Sequence, residues 1–358
     1  MDFNDGSSSG YSSSHDGNKD QAHIRTVMVT GAAGFIGGWF VRHILREYGD
    51  KYIIVGFDNL EYCASLANFT EVQHLSNFHF VKGDICDIKD VENNLRKYSV
   101  DAIVHFAAKT HVDESFRTPL SFTATNVLGT QILLEACRKQ GNIERIVHVS
   151  TDEIYGENDP AQLVSFTEDH PMNPTNPYSA SKAAAEMIVN GYQKSFKMPI
   201  IITRCNNVFG PYQFPEKLIP KFIMLFNNNL RMPIHGEGRN MRAFLYAGDA
   251  AEALDVIFHK GVPGEAYNIA SSNQVQVLEV AKKIVQNSKH ISRDLFNSIE
   301  MVKDRPFNDS MYWTDGSKLE ALGWKQRTGF DEGLQRTIQW YSGIDRVWCQ
   351  RDSPWRDY

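Results

Sequence analysis

Two adjacent carboxylic acids, Asp152 and Glu153, follow an apolar run at 146–149 that is typical of a buried parallel strand. Ligands of open α/β sheets collect at the carboxyl ends of strands, so we expect both acids in the active cleft. Neighbouring acids in one cleft can have their pKa values pushed apart, which yields one general acid and one general base. The alternative for these acids and the preceding Thr151 is a helix or turn cap, a position that favours Thr and Asp.

Tyr178 and Lys182 are four residues apart, so on a helix their side chains share one face. A phenol acts as a base near neutrality only if its pKa falls well below its usual value of about 10. A nearby ammonium and a positively charged nicotinamide ring both favour the phenolate, so the pair suits oxidation by a nicotinamide. A Tyr-x-x-x-Lys pattern also arises by chance in a chain of this length. The two acids beside it indicate that oxidation is the first of several steps, as in a dehydratase.

Three glycines, Gly31, Gly34 and Gly37, stand between a short β-branched run at 26–30 and a helical pattern. Glycines at this spacing permit a tight turn, close approach of a pyrophosphate and close helix–strand packing. Asp58 ends the next predicted strand, where a carboxylate can accept hydrogen bonds from ribose hydroxyls. Its charge would repel a 2′-phosphate, which favours NAD over NADP. The alternative is a structural turn with a capping Asp.

Strands and helices alternate from residue 25 to residue 205. We predict strands at 26–30, 52–57, 78–81, 102–106, 145–149 and 199–203, and helices at 127–138 and 178–196. This alternation predicts an α/β fold, a Rossmann-type doubly wound parallel sheet with right-handed crossovers. Asp84 and Ile85, after the third strand, are candidate contacts on the adenine side, although a solvated loop acid is the alternative for Asp84.

Prolines and an asparagine run replace the regular pattern after Cys205, which indicates a smaller, mostly C-terminal substrate-binding domain. The predicted division is a disordered tail at 1–24, an NAD-binding domain at 25–205 that regains 245–270, a substrate-binding domain at 206–244 and 271–345, and a tail at 346–358.

The composition argues against several classes of protein. The net charge of −6 gives no reason to expect nucleic acid or anionic membranes as partners. The five cysteines show no metal-binding spacing, so we predict no metal site and reduced thiols. No apolar run is long enough to span a bilayer, and the start has no apolar core of a signal peptide. We therefore expect a cytoplasmic protein.

From about residue 25 to residue 341 the chain resembles the extended short-chain dehydrogenase/reductase family, specifically its nucleotide-sugar 4,6-dehydratases. The matching segments are 30–37, 105–108, 111–113, 150–153, 176–179, 206–207 and 214–220. Most of these motifs are common to extended members of the family, whatever reaction they catalyse. Thr-Asp-Glu followed by Tyr-x-x-x-Lys is the part specific to dehydratases.

The resemblance implies a mechanism and an NAD cofactor. Tyr178, supported by Lys182, takes the proton of the glucose 4-hydroxyl while a hydride leaves C4. Glu153 then removes the C5 proton, and a protonated Asp152 gives its proton to the departing 6-hydroxyl. The hydride returns to C6, which leaves a 4-keto-6-deoxy sugar. Thr151 is assigned a hydrogen bond to a sugar oxygen.

Two further sets of residues are assigned in the same way. The cofactor set is Gly31, Gly34, Phe35, Ile36, Gly37, Asp58, Asp84, Ile85, Ala107, Ala108, Tyr178 and Lys182. The substrate set is His111, Asp113, Thr151, Asn207, Lys217, Leu218, Arg242, Asn268 and Arg305. Arg242 and Arg305 match diphosphate clamps, for which a forked guanidinium is suited, although a solvated charge is the default for either arginine alone.

The chain departs from bacterial deoxythymidine-diphosphate-glucose dehydratases at 307–308, where it has Phe-Asn and they typically have Gly-His. The segments 156–157, 204–208 and 305–309 look like the dehydratase portion of eukaryotic UDP-rhamnose synthases. They favour UDP-glucose, with dTDP-glucose as the alternative. Because the chain ends soon after the dehydratase region, we expect a separate protein to complete any synthesis of rhamnose.

Other functions remain open at this point. A 4-epimerase would need the Tyr, the Lys and NAD but no acid pair, and a UDP-glucuronate decarboxylase would usually lack the Asp. A non-catalytic NAD sensor could lose the tyrosine. The family also implies a homodimer through helices near 127–140 and 178–195, which both look amphipathic.

Overall fold

The computed structural model describes residues 23–158, 164–288, 294–303 and 311–343. Its strands are β1 (Thr26–Thr30), β2 (Ile53–Asp58), β3 (Phe78–Lys82), β4 (Ala102–His105), β5 (Arg145–Thr151), β6 (Ile200–Cys205), β7 (Asn207–Phe209), β8 (Met232–His235), β9 (Met241–Tyr246), β10 (Ala266–Ile269), β11 (Gln274–Gln276) and β12 (Ile299–Val302).

The α-helices are α1 (Phe35–Tyr48), α2 (Ile88–Lys97), α3 (Val112–Arg117), α4 (Pro119–Phe122), α5 (Thr130–Gln140), α6 (Pro177–Phe196), α7 (Leu218–Asn227), α8 (Ala247–Lys260), α9 (Val277–Asn287), α10 (Leu295–Ser298), α11 (Ser317–Glu320) and α12 (Phe330–Gly343).

One seven-stranded sheet organises the chain, in the order β10-β6-β5-β4-β1-β2-β3, and all its pairings are parallel. Its central strands are rich in apolar residues and buried along their whole length because helices cover both faces. The helices α1 and α8 pack on one face, and α2, α5 and α6 on the other. The predicted doubly wound α/β fold is confirmed.

A second hydrophobic cluster lies beyond the carboxyl ends of these strands. Helices α7, α9 and α12 enclose it together with two small sheets, β11-β9-β7 and β12-β8. Within the segment at 245–270, β10 pairs with β6 of the large sheet and α8 packs on α1. Among the described residues, no helix has the length and apolar character needed to cross a membrane.

Several elements differ from their predicted bounds. A π-helical turn, Thr123–Gly129, precedes α5 where a single helix from 127 was expected. Asn126 lies in this turn, and its side chain bonds both the backbone N–H and the carbonyl of Lys109. Strand β5 continues two residues further, through Thr151. Ile24 is buried against the core rather than part of a tail.

Candidate active site

The carboxyl ends of β1, β4, β5 and β6 meet at one edge of the sheet, where the predicted catalytic residues lie. A capping box begins α6: the Asn176 side chain accepts from the Ser179 N–H, and the Ser179 side chain accepts from the Asn176 N–H. This cap places Tyr178 in the first turn of the helix, with 7% of its surface exposed. Lys182 follows one turn later on the same face and is also buried.

The glycine turn between β1 and α1 packs tightly against neighbouring backbone and lines a cavity. Gly31 has a φ of +68°, and a Cβ there would lie 2.6 Å from the Ala107 nitrogen. A Cβ on Gly37 would lie 2.4 Å from the Gly31 oxygen. Glycine is therefore required at both positions, and the N-terminus of α1 opens toward the cavity with its free N–H groups.

A cavity of about 340 Å³ lies over this turn. All twelve residues that we predicted to bind the cofactor line it, together with Thr151 and Glu153. Asp58 closes one side: its Oδ2 accepts from the Ala33 N–H at 3.0 Å and its Oδ1 from the Leu60 N–H at 2.8 Å. Burial raises the pKa of this carboxyl, which those hydrogen bonds oppose.

Lys182 is fixed under the cavity. Its Nζ donates to the Val149 carbonyl at 2.8 Å, and burial lowers its pKa to about 8 against the opposing charge of Glu186. Burial and the Glu153 charge raise the pKa of Tyr178 above its ordinary value, while a hydrogen bond from Thr151 opposes that rise. In the protein alone the phenol is thus protonated, and a positive charge is needed beside it before it acts as a base.

Asp152 lies behind the cavity wall and is 2% exposed. Its Oδ1 accepts from the Thr151 hydroxyl at 3.2 Å and its Oδ2 from the Asn206 amide at 2.6 Å. Burial raises its pKa to about 6 despite both bonds. The Thr151 hydroxyl also accepts a hydrogen bond from the Glu153 N–H at 3.3 Å. Thr151 therefore caps the turn that follows β5 and also lines the cavity.

Glu153 faces the cavity. Burial and the Asp152 charge raise its pKa to about 7, while Lys217, Arg242 and a hydrogen bond with Asn176 oppose the rise. The two acids titrate together, so near neutrality they share about one proton. The pair can therefore supply one general acid and one general base.

A second cavity adjoins the first and shares Glu153, Asn207 and Lys217 with it. Of the predicted substrate residues it is lined by His111, Asp113, Asn207, Lys217, Leu218 and Arg242. Arg305 lies outside the described residues, as do the other members of the 305–309 segment.

Asn268 does not join the predicted substrate residues. It is fully buried at the end of β10, and its Oδ1 accepts from the Tyr155 hydroxyl. Its amide donates to the carbonyls of Phe166 and Asp315. Because its polar atoms are already paired in the core, the structure assigns it a role in holding the fold.

Some residues of the site escaped the sequence analysis. Asn206 was recognised only as part of a motif, yet it bonds Asp152 directly. Asn176 acts on Glu153 as well as capping α6. Glu61 and Lys109 both line the first cavity and form an ion pair at 2.7 Å. The two residues lie 48 positions apart in the sequence, where nothing indicated that their side chains meet.

Known proteins share this architecture and much of the sequence. The chain is 48% identical over 324 residues to the trifunctional UDP-glucose 4,6-dehydratase/UDP-4-keto-6-deoxy-D-glucose 3,5-epimerase/UDP-4-keto-L-rhamnose-reductase of Arabidopsis thaliana, covering 90% of this chain and 48% of the relative. The chain thus spans about half the length of that plant protein. It is 43% identical to the dTDP-D-glucose 4,6-dehydratase of Mus musculus, with 88% of each chain covered.

A solved structure gives the same result. The dTDP-glucose 4,6-dehydratase of Streptomyces venezuelae, determined with NAD bound, superposes with a TM-score of 0.85 at 38% identity. The match covers 90% of this chain and 98% of that one. NAD is the cofactor, and the space left by the glycine turn beside Asp58 fits its pyrophosphate and ribose.

Replacing Asp58 with alanine is expected to raise the dissociation constant of NAD about ten- to a hundredfold, since charge-assisted hydrogen bonds are lost. The change also frees the Ala33 N–H within the glycine turn. Titration calorimetry on nucleotide-free protein measures the effect. Asp87→Ala is the control, because Asp87 caps α2 and does not line the cavity. Equal affinity for NAD in Asp58→Ala and the wild type would contradict this role.

The family model described as GDP-mannose 4,6 dehydratase matches residues 28–337. That range includes the glycine turn, both acids and the Tyr–Lys pair. The chain belongs to this family of NAD-dependent nucleotide-sugar 4,6-dehydratases.

Proposed function

We propose that the protein converts UDP-glucose to UDP-4-keto-6-deoxyglucose and water. The observation that carries the proposal is a pair of adjacent buried acids with raised pKa values, one of which, Glu153, lines the same cavity as Tyr178 and Lys182. An epimerase needs only Tyr178 and Lys182. The acid pair therefore supports dehydration.

Tyr178, Glu153 and Asp152 carry out the proton transfers of the reaction. When bound, NAD supplies a positively charged ring and an acceptor that takes the C4 hydride and returns it to C6. Tyr178 receives the proton of the 4-hydroxyl. The resulting ketone acidifies C5–H, and Glu153 accepts that proton as general base. Asp152 protonates the departing 6-hydroxyl, and Glu153 returns its proton to C5.

The rate should depend on pH through the acid pair. One of the two acids must be ionised and the other protonated, so kcat falls below about pH 6, where both acids carry a proton, and above about pH 7, where both are ionised. We expect a bell-shaped kcat profile that peaks between these values, measured by product formation in constant-ionic-strength buffers. A flat profile from about pH 5 to pH 8 would contradict these assignments.

The choice of UDP-glucose over dTDP-glucose is supported by two observations. The identity to the trifunctional plant protein is 48%, against 43% for the mouse dTDP-D-glucose 4,6-dehydratase. The segments 156–157 and 204–208 also resemble the UDP-glucose enzymes. Lys217 and Leu218 would then lie near the nucleobase, and Arg242 near the diphosphate.

The proposal is tested with four substrates. UDP-glucose and dTDP-glucose differ in the 5-methyl group and in the ribose 2′-hydroxyl, so dUDP-glucose and ribothymidine-diphosphate-glucose separate the two differences. Purified protein with NAD is incubated with each, and the sugar nucleotide is analysed by mass spectrometry. We expect loss of one water, with the highest kcat/KM for UDP-glucose.

Other results would redirect the assignment. A higher kcat/KM with dTDP-glucose would show that dTDP-glucose is the preferred substrate, and the assignment as a dehydratase would still hold. UDP-galactose formed without loss of water would indicate an epimerase. Tight NAD binding with no turnover would indicate a sensor. The double variant Asp152→Asn, Glu153→Gln is the negative control.

We also propose that the protein is a cytoplasmic homodimer. Large apolar side chains are exposed on α4, on the π-helical turn and on α6, among them Leu120 at 82%, Leu128 at 52% and Met187 at 55%. Leu128→Glu together with Met187→Glu is expected to give monomers in sedimentation velocity at micromolar concentration. Phe296→Glu, which alters an exposed side chain on α10, is the control. A monomeric wild type would refute the dimer.

A further inference from the structure

Two loops from different parts of the fold line the first cavity and bond to each other. The loop at 59–64 follows β2, and the loop at 214–217 precedes α7. The first loop is attached to the cofactor site at its base, because Asp58 accepts a hydrogen bond from the Leu60 N–H. Leu60 has a φ of +60°, which is uncommon for a residue other than glycine. Such a backbone persists only where surrounding contacts hold it, so the loop has a defined shape.

Tyr62 joins the two loops. Its hydroxyl donates to the Glu216 Oε2 at 2.5 Å, and its ring packs edge-on against Phe214 with the ring centroids 5.5 Å apart. The Glu216 side chain is 5% exposed, whereas Tyr62 is 48% exposed. A hydrogen bond that involves a charged group is about twice as strong as one between neutral groups. Because breaking this bond would leave a buried carboxyl group with one partner fewer, the contact favours the joined arrangement of the two loops.

Two further contacts connect walls of the same cavity. Glu61 of the first loop pairs with Lys109, which follows β4, at 2.7 Å. The Lys217 Nζ donates to the Thr110 carbonyl at 2.6 Å. All four residues line the first cavity. The loops that follow β2 and β4 and the loop that precedes α7 are therefore bonded to one another around it.

We propose that the loop at 59–64 is a clasp that closes over bound NAD, and that Glu61 and Tyr62 are positioning residues that keep it shut between turnovers. The bonds that hold the clasp join protein groups to each other and not to the nucleotide. They therefore stabilise the closed clasp to the same extent before and after NAD binds. The clasp must open for NAD to enter and again for NAD to leave, so these bonds slow both steps.

This arrangement has a distinct kinetic signature. Loss of one bond should accelerate entry and exit of NAD by the same factor and leave the dissociation constant unchanged. The clasp itself rests only on NAD as the cofactor. Its consequence for turnover rests on the proposed function: NAD is regenerated in each cycle, so slow exchange does not limit the reaction and keeps the transient NADH in place.

The experiment follows exchange of the cofactor in the absence of any sugar nucleotide. Protein loaded with radiolabelled NAD is diluted into excess unlabelled NAD, and the label that stays bound is counted over time after rapid filtration. Tyr62→Phe keeps the ring against Phe214 but removes the hydroxyl. We expect its dissociation rate constant to rise about tenfold or more, the size of effect for a lost hydrogen bond to a charged group. The association rate constant should rise equally, and titration calorimetry should give the dissociation constant of the wild type.

Further variants separate the clasp from a general loss of stability. Glu61→Gln breaks the ion pair with Lys109 and should also raise both rate constants together. In a Glu216→Leu background, Tyr62→Phe should have no further effect, because the bond is already lost. Tyr192→Phe is the control: its phenol bonds Glu135 on another part of the surface, and NAD should exchange at the rate of the wild type.

Two results would overturn the clasp. One is a raised dissociation constant in Tyr62→Phe with an unchanged association rate constant, which would show that the hydroxyl acts only on bound NAD. The other is exchange at the rate of the wild type in both Tyr62→Phe and Glu61→Gln. If the wild type does not dehydrate UDP-glucose, the proposed function fails, and the exchange rates still decide whether the clasp exists.

Discussion

Replacing Tyr178 with phenylalanine is expected to lower kcat about 10²- to 10⁴-fold, the range for loss of a positioned acid–base group. The phenol lines the first cavity and shares a helical face with Lys182, and the proposed mechanism gives it the proton of the 4-hydroxyl. The ring is retained, so packing against Phe122 is preserved. Steady-state formation of the dehydrated sugar nucleotide measures the loss.

A matched control lies on the same helix. Tyr192→Phe removes a phenol of α6 that bonds Glu135 at the surface, and kcat should be unchanged. The melting temperature of Tyr178→Phe should match that of the wild type. Full activity in Tyr178→Phe would remove this residue from the mechanism and favour direct proton transfer to another group.

Replacing Arg204 with methionine is expected to lower the free energy of unfolding by about 3–5 kcal/mol. Arg204 and Glu186 form an almost fully buried ion pair, with Nη2 and Oε2 at 2.9 Å. The guanidinium also donates to the Tyr155 hydroxyl and the Glu168 carbonyl, each at 2.7 Å. Methionine would leave the Glu186 carboxylate buried without its partner, which is the costly part of the change.

Urea denaturation of a double-mutant cycle isolates that cost. Glu186→Leu in the Arg204→Met background should recover most of the lost stability, because no unpaired charge remains. Arg138→Met breaks an exposed pair with Glu135 and should leave the free energy of unfolding nearly unchanged. An equally small change for Arg204→Met would show that the buried pair is relaxed or hydrated in solution.

The parts of the site that lie at a single strand–helix turn were predictable from the sequence. Gly31, Gly34 and Gly37 act through local backbone geometry, and Asp58 ends the adjacent strand, so fixed spacing is sufficient to locate them. The alternation of strands and helices could also be predicted from the sequence, and the predicted fold is confirmed. The predicted ends of helices were wrong where a tertiary contact determines them. One example is Asn126, whose side chain binds the backbone of Lys109.

Contacts that depend on strand register were not predictable. Asn206 meets Asp152 because β5 and β6 pair with Thr151 opposite Cys205, and the sequence does not encode this register in any short pattern. The contacts of Asn268 were not predictable for a related reason. Asn268 lies in β10 of the same sheet, and its side chain accepts a hydrogen bond from the Tyr155 hydroxyl in the core.

The close approach of Gly31 to Ala107 makes the stability of the folded chain depend on the concentration of NAD. The glycine turn lies against Ala107 only after β1 has paired with β4, which brings together strands about seventy residues apart. NAD therefore binds the native state and not the unfolded chain, and at a hundred times its dissociation constant it adds about 2.7 kcal/mol of stability. In a cell, newly made chains that capture the nucleotide are protected from proteolysis, so nucleotide availability influences how much of the protein accumulates.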